Sequence, residues 1–368
     1  MKKVGLITFH RNFNFGAALQ CASICELVRK FGGDPIVVDY APFEKKAGLI
    51  KGWGFRRVGF KNALKQRFFN VLHGKKAQKN FRRFREYYWN CSDPCAGSDE
   101  ISAATRGFSH FITGSDQVWR LDRPNPYFLN WRDMADFVKI SYAPCCSSAK
   151  QPAGREREIG EWIRDIDFLS VRNDFSKKVI EDISGCVAEV VADPTLLVDF
   201  PFTDELPRRS PSHFILVYIL GEEINGGMSR LLERAKRSHP GARVVAVCPT
   251  FLRPPDFSWA DDILHGLGPF QWIELFRSAS FIITDSFHGT IFSIKFGKPF
   301  VSYYREKIRA PRLLDLSKRY LLERNTVSSV DELKDEVLVE PPSIETFERI
   351  KEHRNFSLKF LKRALSDL

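Results

Sequence analysis

The first forty residues alternate apolar runs with polar loops in a way that predicts a strand, a helix and a second strand. Residues 4–9 form a short apolar run, and residues 17–31 place apolar side chains nearly all round a helix, so this helix should be buried. Gly32 and Gly33 would end the helix, and residues 36–39 are typical of the next strand. This order predicts a βαβ unit and therefore a parallel sheet.

The same alternation continues along the chain, with an interruption where prolines accumulate at Pro201, Pro207 and Pro211. We therefore expect an α/β protein with two Rossmann-like, doubly wound domains facing a cleft, in which ligands bind at the carboxyl ends of the strands. The expected domains are residues 1–205, with a basic helical insertion at 44–106, residues 206–342, and a C-terminal helix at 343–368. The predicted strands are 4–9, 36–39, 111–113, 138–143, 169–172, 190–192, 214–220, 243–248, 281–284 and 299–303, and the predicted helices are 17–31, 155–166, 176–183, 228–239, 271–278 and a short helix ending at 296.

Composition narrows the class of protein. A length of 368 residues is more than one ordinary α/β core holds, and 43% hydrophobic with 27% charged residues excludes a wholly disordered chain. No apolar run approaches the ~20 residues that span a bilayer, and the N-terminus lacks the pattern of a secretory signal. Eight scattered cysteines without a C-x-x-C pair are typical of a reduced, cytoplasmic protein without a zinc site.

The positive charge is concentrated in one segment. The chain has a formal net charge of +11, and residues 51–90 alone hold twelve basic side chains, ten aromatic ones and a single acid, Glu86. Amphipathic helices with a solvated basic face would explain this pattern, and so would docking on an anionic bilayer. RNA binding needs the same charge, but no nucleic-acid motif accompanies it. The two apolar stripes are Leu64, Phe68, Val71, Leu72 and Ala77, Phe81, Phe84, Tyr88.

The strongest candidate for chemistry is the segment Phe-Ile-Ile-Thr-Asp-Ser-Phe-His-Gly-Thr at residues 281–290. A buried strand ends at Asp285 and a helix starts near Ser286, and the free N–H groups and positive end of such a helix favour an anion. A phosphate beside His288 would favour its imidazolium form, which can act as an acid. On spacing alone, a Ser286 N-cap beside a structural histidine is an equally good interpretation.

Two further charged residues lie where predicted strands end. Asp116, in Gly-Ser-Asp after strand 111–113, could accept a proton from an alcohol or orient it, although an Asx turn or a cap is the more common role for such a residue. Arg172 suits recognition of a carboxylate or phosphate, although a surface salt bridge is the more common role of a lone arginine.

The remaining loops contain weaker candidates for ligand binding. Asn14 and Gly16 close the first strand-to-helix loop and could present amides to a ligand. Asp193-Pro-Thr195 is interpreted as a turn without a chemical role. G-x-G-x-x-G is absent, so a dinucleotide site is not indicated.

The motifs described above, together with the start of the chain, lie in six segments. The sequences of these segments and their order along the chain resemble the polysaccharide pyruvyl transferase family. The resemblance implies a two-domain fold similar to GT-B glycosyltransferases, and transfer of pyruvate from phosphoenolpyruvate to a sugar as a ketal, with release of phosphate. Pro144-Cys-Cys-Ser departs from the family pattern and puts the identity of the sugar in doubt more than the chemistry. The segments are 4–10 with 14–20, 114–119, 140–143, 169–172, 192–196 and 286–289.

The resemblance also implies roles for residues. His288 matches the family's phosphoenolpyruvate-binding histidine loop, Arg172 and Asp116 match other cleft residues, and Arg312 resembles an arginine that follows the last strand. We expect His288 to be the proton donor or to bind the phosphate, and Asp116 to orient the sugar hydroxyl. The resemblance implies phosphoenolpyruvate as the donor substrate, and no cofactor or metal is expected. The residues expected to bind substrate are Asn14, Gly16, Ser115, Arg172, Ser286, Phe287, Gly289 and Arg312.

The resemblance implies phosphoenolpyruvate on the side of residues 206–342 and a sugar acceptor on the side of residues 1–205. The acceptor would be a polysaccharide or a lipid-linked precursor, and in the second case the enzyme would work at the inner face of the plasma membrane. Residues 51–90 would then hold the enzyme at that anionic surface. The alternative interpretation is a GT-B glycosyltransferase that uses a nucleotide sugar. A non-catalytic module binding polyanions is a further alternative, which predicts salt-sensitive binding to nucleic acid.

Overall fold

The computed structural model describes residues 1–40, 60–123, 125–131, 137–146, 154–203, 207, 211–249, 257–305 and 310–368, with the backbone alone for 60–72 and 125. The predicted domain boundary at 205 and part of the predicted insertion at 44–106 lie outside the described residues. Within the described residues, the chain forms two parallel sheets, one on each side of the proline-containing stretch.

The first sheet has the strand order β3-β2-β1-β4-β5, and all its pairs are parallel. Two short strands, β6 and β7, continue next to β5 through a bridge between Ile140 and Phe168. The strands are β1 (Lys3–Ile7), β2 (Asp34–Val37), β3 (Asn90–Cys91), β4 (His110–Thr113), β5 (Val138–Ser141), β6 (Ser170–Val171) and β7 (Glu189–Val190). The helices are α1 (Phe15–Lys30), α2 (Phe60–Tyr88), α3 (Ser98–Ala104), α4 (Glu156–Arg164) and α5 (Asp174–Ser184), with short 3₁₀ turns at Gln117–Trp119, Asn125–Phe128 and Pro194–Leu196.

The second sheet repeats this plan with the order β10-β9-β8-β11-β12-β13, again with every pair parallel. Its strands are β8 (Phe214–Tyr218), β9 (Arg243–Val247), β10 (Asp262–Leu264), β11 (Phe281–Thr284), β12 (Phe300–Tyr303) and β13 (Thr326–Val327). Its helices are α6 (Met228–Ser238), α7 (Pro269–Ser278), α8 (Phe287–Lys295), α9 (Pro311–Arg319) and the C-terminal α10 (Ile344–Ala364). In both sheets the strand order reverses beside the first strand, between β1 and β4 and between β8 and β11, and such switch points open crevices for ligands.

The predicted strands and helices are present within a few residues of their expected bounds, and the structure adds others. β3 and β13 have two residues each and β10 has three, too short for their side chains to show an alternating pattern. Helix α9 was also not predicted, although Pro311 opens it at a position that suits proline. Among the helices that the structure describes, none has both the length and the apolar character needed to cross a membrane.

Helix α2 connects the two halves of the core. The two predicted stripes belong to one continuous helix of 29 residues, and the described stripe residues Ala77, Phe81, Phe84 and Tyr88 are all buried. The ring of Phe81 lies 5.3 Å from that of Phe15 on α1, and the ring of Phe84 lies 4.8 Å from that of Phe270 on α7. This part of the basic segment therefore packs against both domains. Its basic side chains Lys75, Lys76, Lys79, Arg82 and Arg83 are exposed.

Helix α10 returns from the second sheet to the first. The His353 imidazole contacts the Tyr320 hydroxyl at 2.8 Å through Nδ1, and the carbonyl oxygen of Val190 at 3.0 Å through Nε2. The amide of Ala192 donates to Ser357 Oγ over 2.8 Å. The helix is thereby bonded to both halves of the molecule.

Candidate functional site

The sequence left two interpretations open for the turn between β11 and α8, namely an anion site beside His288 and an N-cap at Ser286. Ser286 is the N-cap of α8, and its Oγ accepts a hydrogen bond from the Gly289 amide over 3.2 Å. A Cβ at Gly289 would stand 2.3 Å from Thr284 Oγ1, so a side chain there would collide with the end of β11. These contacts fix the first turn of α8 and with it the direction of His288.

His288 faces the first domain. Its side chain is 9% exposed, and a Cβ on Gly16 would stand 2.1 Å from its Nδ1. Gly16 therefore lets the first turn of α1 approach the imidazole. Asn14 caps the same helix, because its Oδ1 accepts from the amide of Ala17 over 3.1 Å.

Asp193 occupies the centre of the site, although the sequence analysis interpreted it as part of a turn without a chemical role. Its Oδ2 lies 2.9 Å from Arg172 Nη1, which donates to it, and 3.5 Å from His288 Nε2. Its Oδ1 accepts from the amide and hydroxyl of Thr195 over 3.0 and 2.6 Å. Burial by itself would raise the pKa of this carboxyl, but His288 and Arg172 hold the pKa of Asp193 well below its usual value. Asp193 is therefore ionised at neutral pH.

Arg172 follows β6 and connects Asp193 to Asp116. Its side chain is only 2% exposed, and Nη2 lies 3.5 Å from Asp116 Oδ1. Burial by itself would lower the pKa of the guanidinium, but Cys145, Asp193 and Asp116 raise the pKa of Arg172 above its ordinary value. Asp116 also lies 3.9 Å from Arg312 Nη1, so the carboxylate is shared between two cations.

The Asp116 turn is held by its neighbours. Asp116 has a φ of 72°, which is rare for a residue other than glycine, and its carbonyl accepts from the Cys145 amide over 2.8 Å. The amide of Ser115 donates to Gln20 Oε1 over 2.9 Å, and its hydroxyl donates to the Ala143 carbonyl over 3.1 Å. Ser115 thus supports the backbone that presents Asp116.

Phe287 separates two parts of the site. Its ring centre lies 4.5 Å from the guanidinium carbon of Arg172 and 5.9 Å from that of Arg312. On one side is the charge cluster, which we define as Asp116, Arg172, Asp193, His288 and Arg312. On the other side is a cavity of about 410 Å³, the Asp285 cavity, which Phe287 and Arg312 also line. The other lining residues are Gly221, Glu222, Asp285, Tyr303, Tyr304, Arg305, Ala310 and Leu313.

Two nitrogen atoms of the charge cluster are buried without a hydrogen-bond partner. They are Arg172 Nε and His288 Nε2, and both side chains are more than nine-tenths buried. Buried polar groups in proteins are nearly always paired. The cluster therefore has hydrogen-bonding capacity left for a ligand.

One group among the described residues has the donor atoms of a metal site. The ligand atoms of His10, Asp39 and Cys91 lie within 4.8 Å of one another. Arg11, however, donates to both oxygens of Asp39 over 2.6 Å, and His10 Nε2 lies 2.7 Å from the first of them. A metal ion would have to displace a guanidinium from this carboxylate.

The structure brings together most of the residues predicted for the site. Arg172, Asp116, His288 and Arg312 form the charge cluster, with Gly16 and Phe287 against it. The predicted residues Asn14, Ser115, Ser286 and Gly289 hold the backbone that presents them. Asp193 was missed because an Asp-Pro pair is typical of a turn, and its partner His288 is distant in sequence.

Comparison with known proteins identifies the family. The family model for polysaccharide pyruvyl transferase matches residues 14–307, a span that contains the charge cluster except Arg312. A search of the curated proteins gives no match.

Solved structures share the fold at low sequence identity. UGT89C1 from Arabidopsis thaliana, complexed with UDP-L-rhamnose, aligns with a TM-score of 0.51 and 10% identity over 100% of this chain and 97% of that one. Its complex with UDP gives 0.50 and 10% over 100% and 99%. A putative UDP-N-acetylglucosamine 2-epimerase from Listeria monocytogenes gives 0.49 and 10% over 97% and 90%. The UGT89C1 alignments confirm the expected GT-B-like arrangement of two Rossmann-like domains. Since the family model covers most of its length, the chain belongs to the polysaccharide pyruvyl transferase family.

Proposed function

We propose that this protein transfers pyruvate from phosphoenolpyruvate to a sugar of a polysaccharide or of its lipid-linked precursor, forming a ketal and releasing phosphate. The observation that carries the proposal is the charge cluster in a chain of this family. It combines two guanidiniums and an imidazole, and two of their buried nitrogens lack hydrogen-bond partners.

The electrostatics of the cluster favour an anionic donor. The guanidiniums of Arg172 and Arg312 balance the carboxylates of Asp116 and Asp193, so these four groups alone are neutral. The first turns of α8 and α9 add positive potential, and His288 adds a full charge when it is protonated. Phosphoenolpyruvate, with about three negative charges, would stabilise that protonated form.

The proton balance of ketal formation defines the tasks of the site. The methylene carbon of phosphoenolpyruvate gains one proton, two sugar hydroxyls lose one each, and the bond between C2 and the phosphate oxygen breaks. The products are a ketal carboxylate and hydrogen phosphate, which keeps the remaining proton. The site therefore needs one acid for the carbon and a base for each hydroxyl.

His288 is the acid in this proposal. Its Nε2 lies 3.5 Å from the ionised Asp193, so the ring is directed toward that carboxylate. Asp116, between Arg172 and Arg312, orients one sugar hydroxyl next to the bound donor.

The test is acceptor-dependent release of phosphate from phosphoenolpyruvate. We expect His288→Ala to lower kcat by about 10²–10⁴, the usual contribution of a general acid, and Arg172→Ala to abolish protection of the protein by phosphoenolpyruvate against thermal unfolding. His213→Ala is the matched control, because His213 is exposed at the opposite end of the second sheet. Near-normal turnover by His288→Ala would refute the acid assignment.

A nucleotide-sugar glycosyltransferase is tested in the same assay. UDP-sugars replace phosphoenolpyruvate, and release of UDP is measured with each acceptor. Release of UDP without any release of phosphate from phosphoenolpyruvate would favour that alternative.

We also propose that the enzyme works at the inner, anionic surface of the plasma membrane, held there by the basic face of α2. Lys75, Lys79 and Arg82 lie at helical spacing on that face and are exposed. Reversing all three charges should weaken binding to phosphatidylglycerol vesicles by roughly 100-fold, since each basic residue contributes about 1 kcal/mol. Co-sedimentation that depends neither on anionic lipid nor on salt between about 0.1 M and 1 M would exclude this role.

A further inference from the structure

The Asp285 cavity differs from the charge cluster in its chemistry. Asp285 and Glu222 contribute two carboxylates to its wall, and Glu222 is paired with Arg305 over 2.8 Å. Arg312 is the one cation of the wall that also belongs to the charge cluster. Arg305 and Arg312 balance the two carboxylates, and no histidine is among the described residues of the wall. The charge cluster, which adds His288 to a balanced set of charges, is therefore the better site for phosphoenolpyruvate.

The same wall is well suited to an uncharged polyol. Phe287 and Tyr304 offer partly exposed aromatic surface, on which the apolar face of a pyranose ring can pack. Carboxylates accept hydrogen bonds from hydroxyl groups. At about 410 Å³, the cavity is in the size range of small-molecule sites.

Asp285 has free accepting capacity on the cavity side. Its Oδ1 accepts from the Leu220 amide and its Oδ2 from the Gly221 amide, both over 2.7 Å. Each carboxylate oxygen can accept a second hydrogen bond. Asp285 immediately precedes the α8 cap, so a hydroxyl bound to it lies next to the turn that carries His288.

We propose that the Asp285 cavity is the acceptor site, which binds a terminal pyranose with a 1,2- or 1,3-diol, and that Asp285 accepts the proton of one of the two hydroxyls that form the ketal. The inference rests on the proposed function and adds a base that its proton balance requires. In the step that closes the ketal, the hydroxyl oxygen bonds to C2 and the bond between C2 and the phosphate oxygen breaks. The hydroxyl proton passes by way of Asp285 to the departing phosphate, which leaves as hydrogen phosphate. The sugar thus lies against the second domain, whereas the sequence placed the acceptor side in residues 1–205.

The environment of Asp285 agrees with a base. Burial raises the pKa of Asp285 to about 6, while the Leu220 and Gly221 amides oppose the rise. Such a carboxyl is ionised at neutral pH and a stronger base than an ordinary aspartate. The ionisable groups around it are Glu222, Tyr303, Arg305 and Arg312 in the wall and Tyr218 behind it.

The experiment separates donor binding from acceptor use in the full-length protein. Donor binding is measured as protection by phosphoenolpyruvate against thermal unfolding. Acceptor use is measured as phosphate release with methyl pyranosides of glucose, galactose, mannose and their N-acetylamino forms as probes. We expect Asp285→Asn to lower kcat/KM for the best probe at least 100-fold and to leave protection by phosphoenolpyruvate within twofold. Wild-type kcat should fall below pH about 6, and the residual activity of the variant should lack this acidic limb.

Two further variants keep the test decisive. Asp261→Asn is the matched control, since Asp261 also accepts from a backbone amide of the second sheet, that of Val244 over 2.7 Å, and does not line the cavity. If Asp285→Asn does not fold, Tyr304→Ala replaces it, and should raise KM for the probe at least tenfold with unchanged protection by phosphoenolpyruvate.

The outcomes distinguish this inference from the proposed function. Equal loss of donor protection and acceptor use in Asp285→Asn, or an acidic limb that persists in the variant, would overturn the acceptor site. Protection of the wild type by phosphoenolpyruvate without turnover of any pyranoside would also overturn it and leave the donor assignment intact. Absence of protection in the wild type would instead contradict the proposed function.

Discussion

The charge cluster and the Asp285 cavity share Phe287 and Arg312 in their walls, yet their ion pairs differ in exposure to solvent. In the cluster, the side chains of Arg172 and Asp193 are 2% and 1% exposed. At the rim of the cavity, those of Arg305 and Glu222 are 47% and 77% exposed. Removing one partner of a buried pair leaves an uncompensated charge, whereas an exposed pair contributes little. Under the proposed function, the buried charges would bind the anionic donor and the solvated rim would bind a neutral sugar.

The largest expected effect of this difference is on Asp193. Asp193→Asn leaves the Arg172 guanidinium buried beside an amide, so the free energy of unfolding should fall by about 3–5 kcal/mol. Glu222→Gln removes a carboxylate from the exposed pair and should change it by less than about 1 kcal/mol. Urea denaturation at pH 7 measures both. Equal effects of the two substitutions would remove the distinction between cluster and cavity.

Acidification tests the same carboxylate without substitution. The pKa of Asp193 is lower in the folded state than in the unfolded state. Its ionised carboxylate therefore adds to the free energy of unfolding above pH about 4, and this contribution is lost as the pH falls below that value. Wild-type stability should therefore decline more steeply below pH 4 than that of Asp193→Asn. Parallel pH profiles would contradict the assignment of Asp193 as ionised.

A smaller effect is expected where the two domains meet at His288. Gly16→Ala would place a methyl group 2.1 Å from the imidazole, which should destabilise the fold by about 1–3 kcal/mol through overpacking and lower kcat. Gly74→Ala, in α2 with no heavy atom within 4 Å of the added Cβ, should instead stabilise by about 0.5–1 kcal/mol. If Gly16→Ala retains full activity and stability, the close approach of α1 to His288 is not required.

The smallest expected effect is the change of stability with pH that Asp285 causes. Its sign is opposite to that of the change caused by Asp193. A raised pKa means that the folded state holds its proton more tightly, so stability decreases as the pH rises through about 6. Between pH 5 and pH 7, the wild type should lose about 1 kcal/mol that Asp285→Asn does not lose. Thermal unfolding at the two pH values provides the comparison. A loss of the same size in Asp285→Asn would assign the change to another group.

Sequence patterns located the parts of the site that depend on local order. The strand-end positions of Asp116, Arg172 and His288 follow from the hydrophobic runs before them, and parallel strands bring such ends to one edge. The same argument does not reveal which of them pair. Asp193 contacts Arg172 and His288 across 21 and 95 positions of sequence, a juxtaposition that only tertiary packing creates.

The basic segment at residues 51–90 also shows that a sequence pattern does not reveal tertiary partners. Periodicity located the buried stripe of Ala77, Phe81, Phe84 and Tyr88, but it could not show that this stripe packs between α1 and α7. An amphipathic pattern specifies which side of a helix is buried and does not specify its partner. The Asp285 cavity was missed for a similar reason, since its wall is assembled from four separate segments of chain.

Helix α10 has a mechanical consequence. The chain passes from the first domain to the second once, after Phe200, and α10 carries it back to bond with Val190 and Ala192. Two covalent crossings restrain a pair of bodies more than one does, because twisting about a single tether is no longer free. A movement that parts Gly16 from His288 would be restrained at both crossings. A cut in the loop before α10 would release one of them and widen the range of rotation.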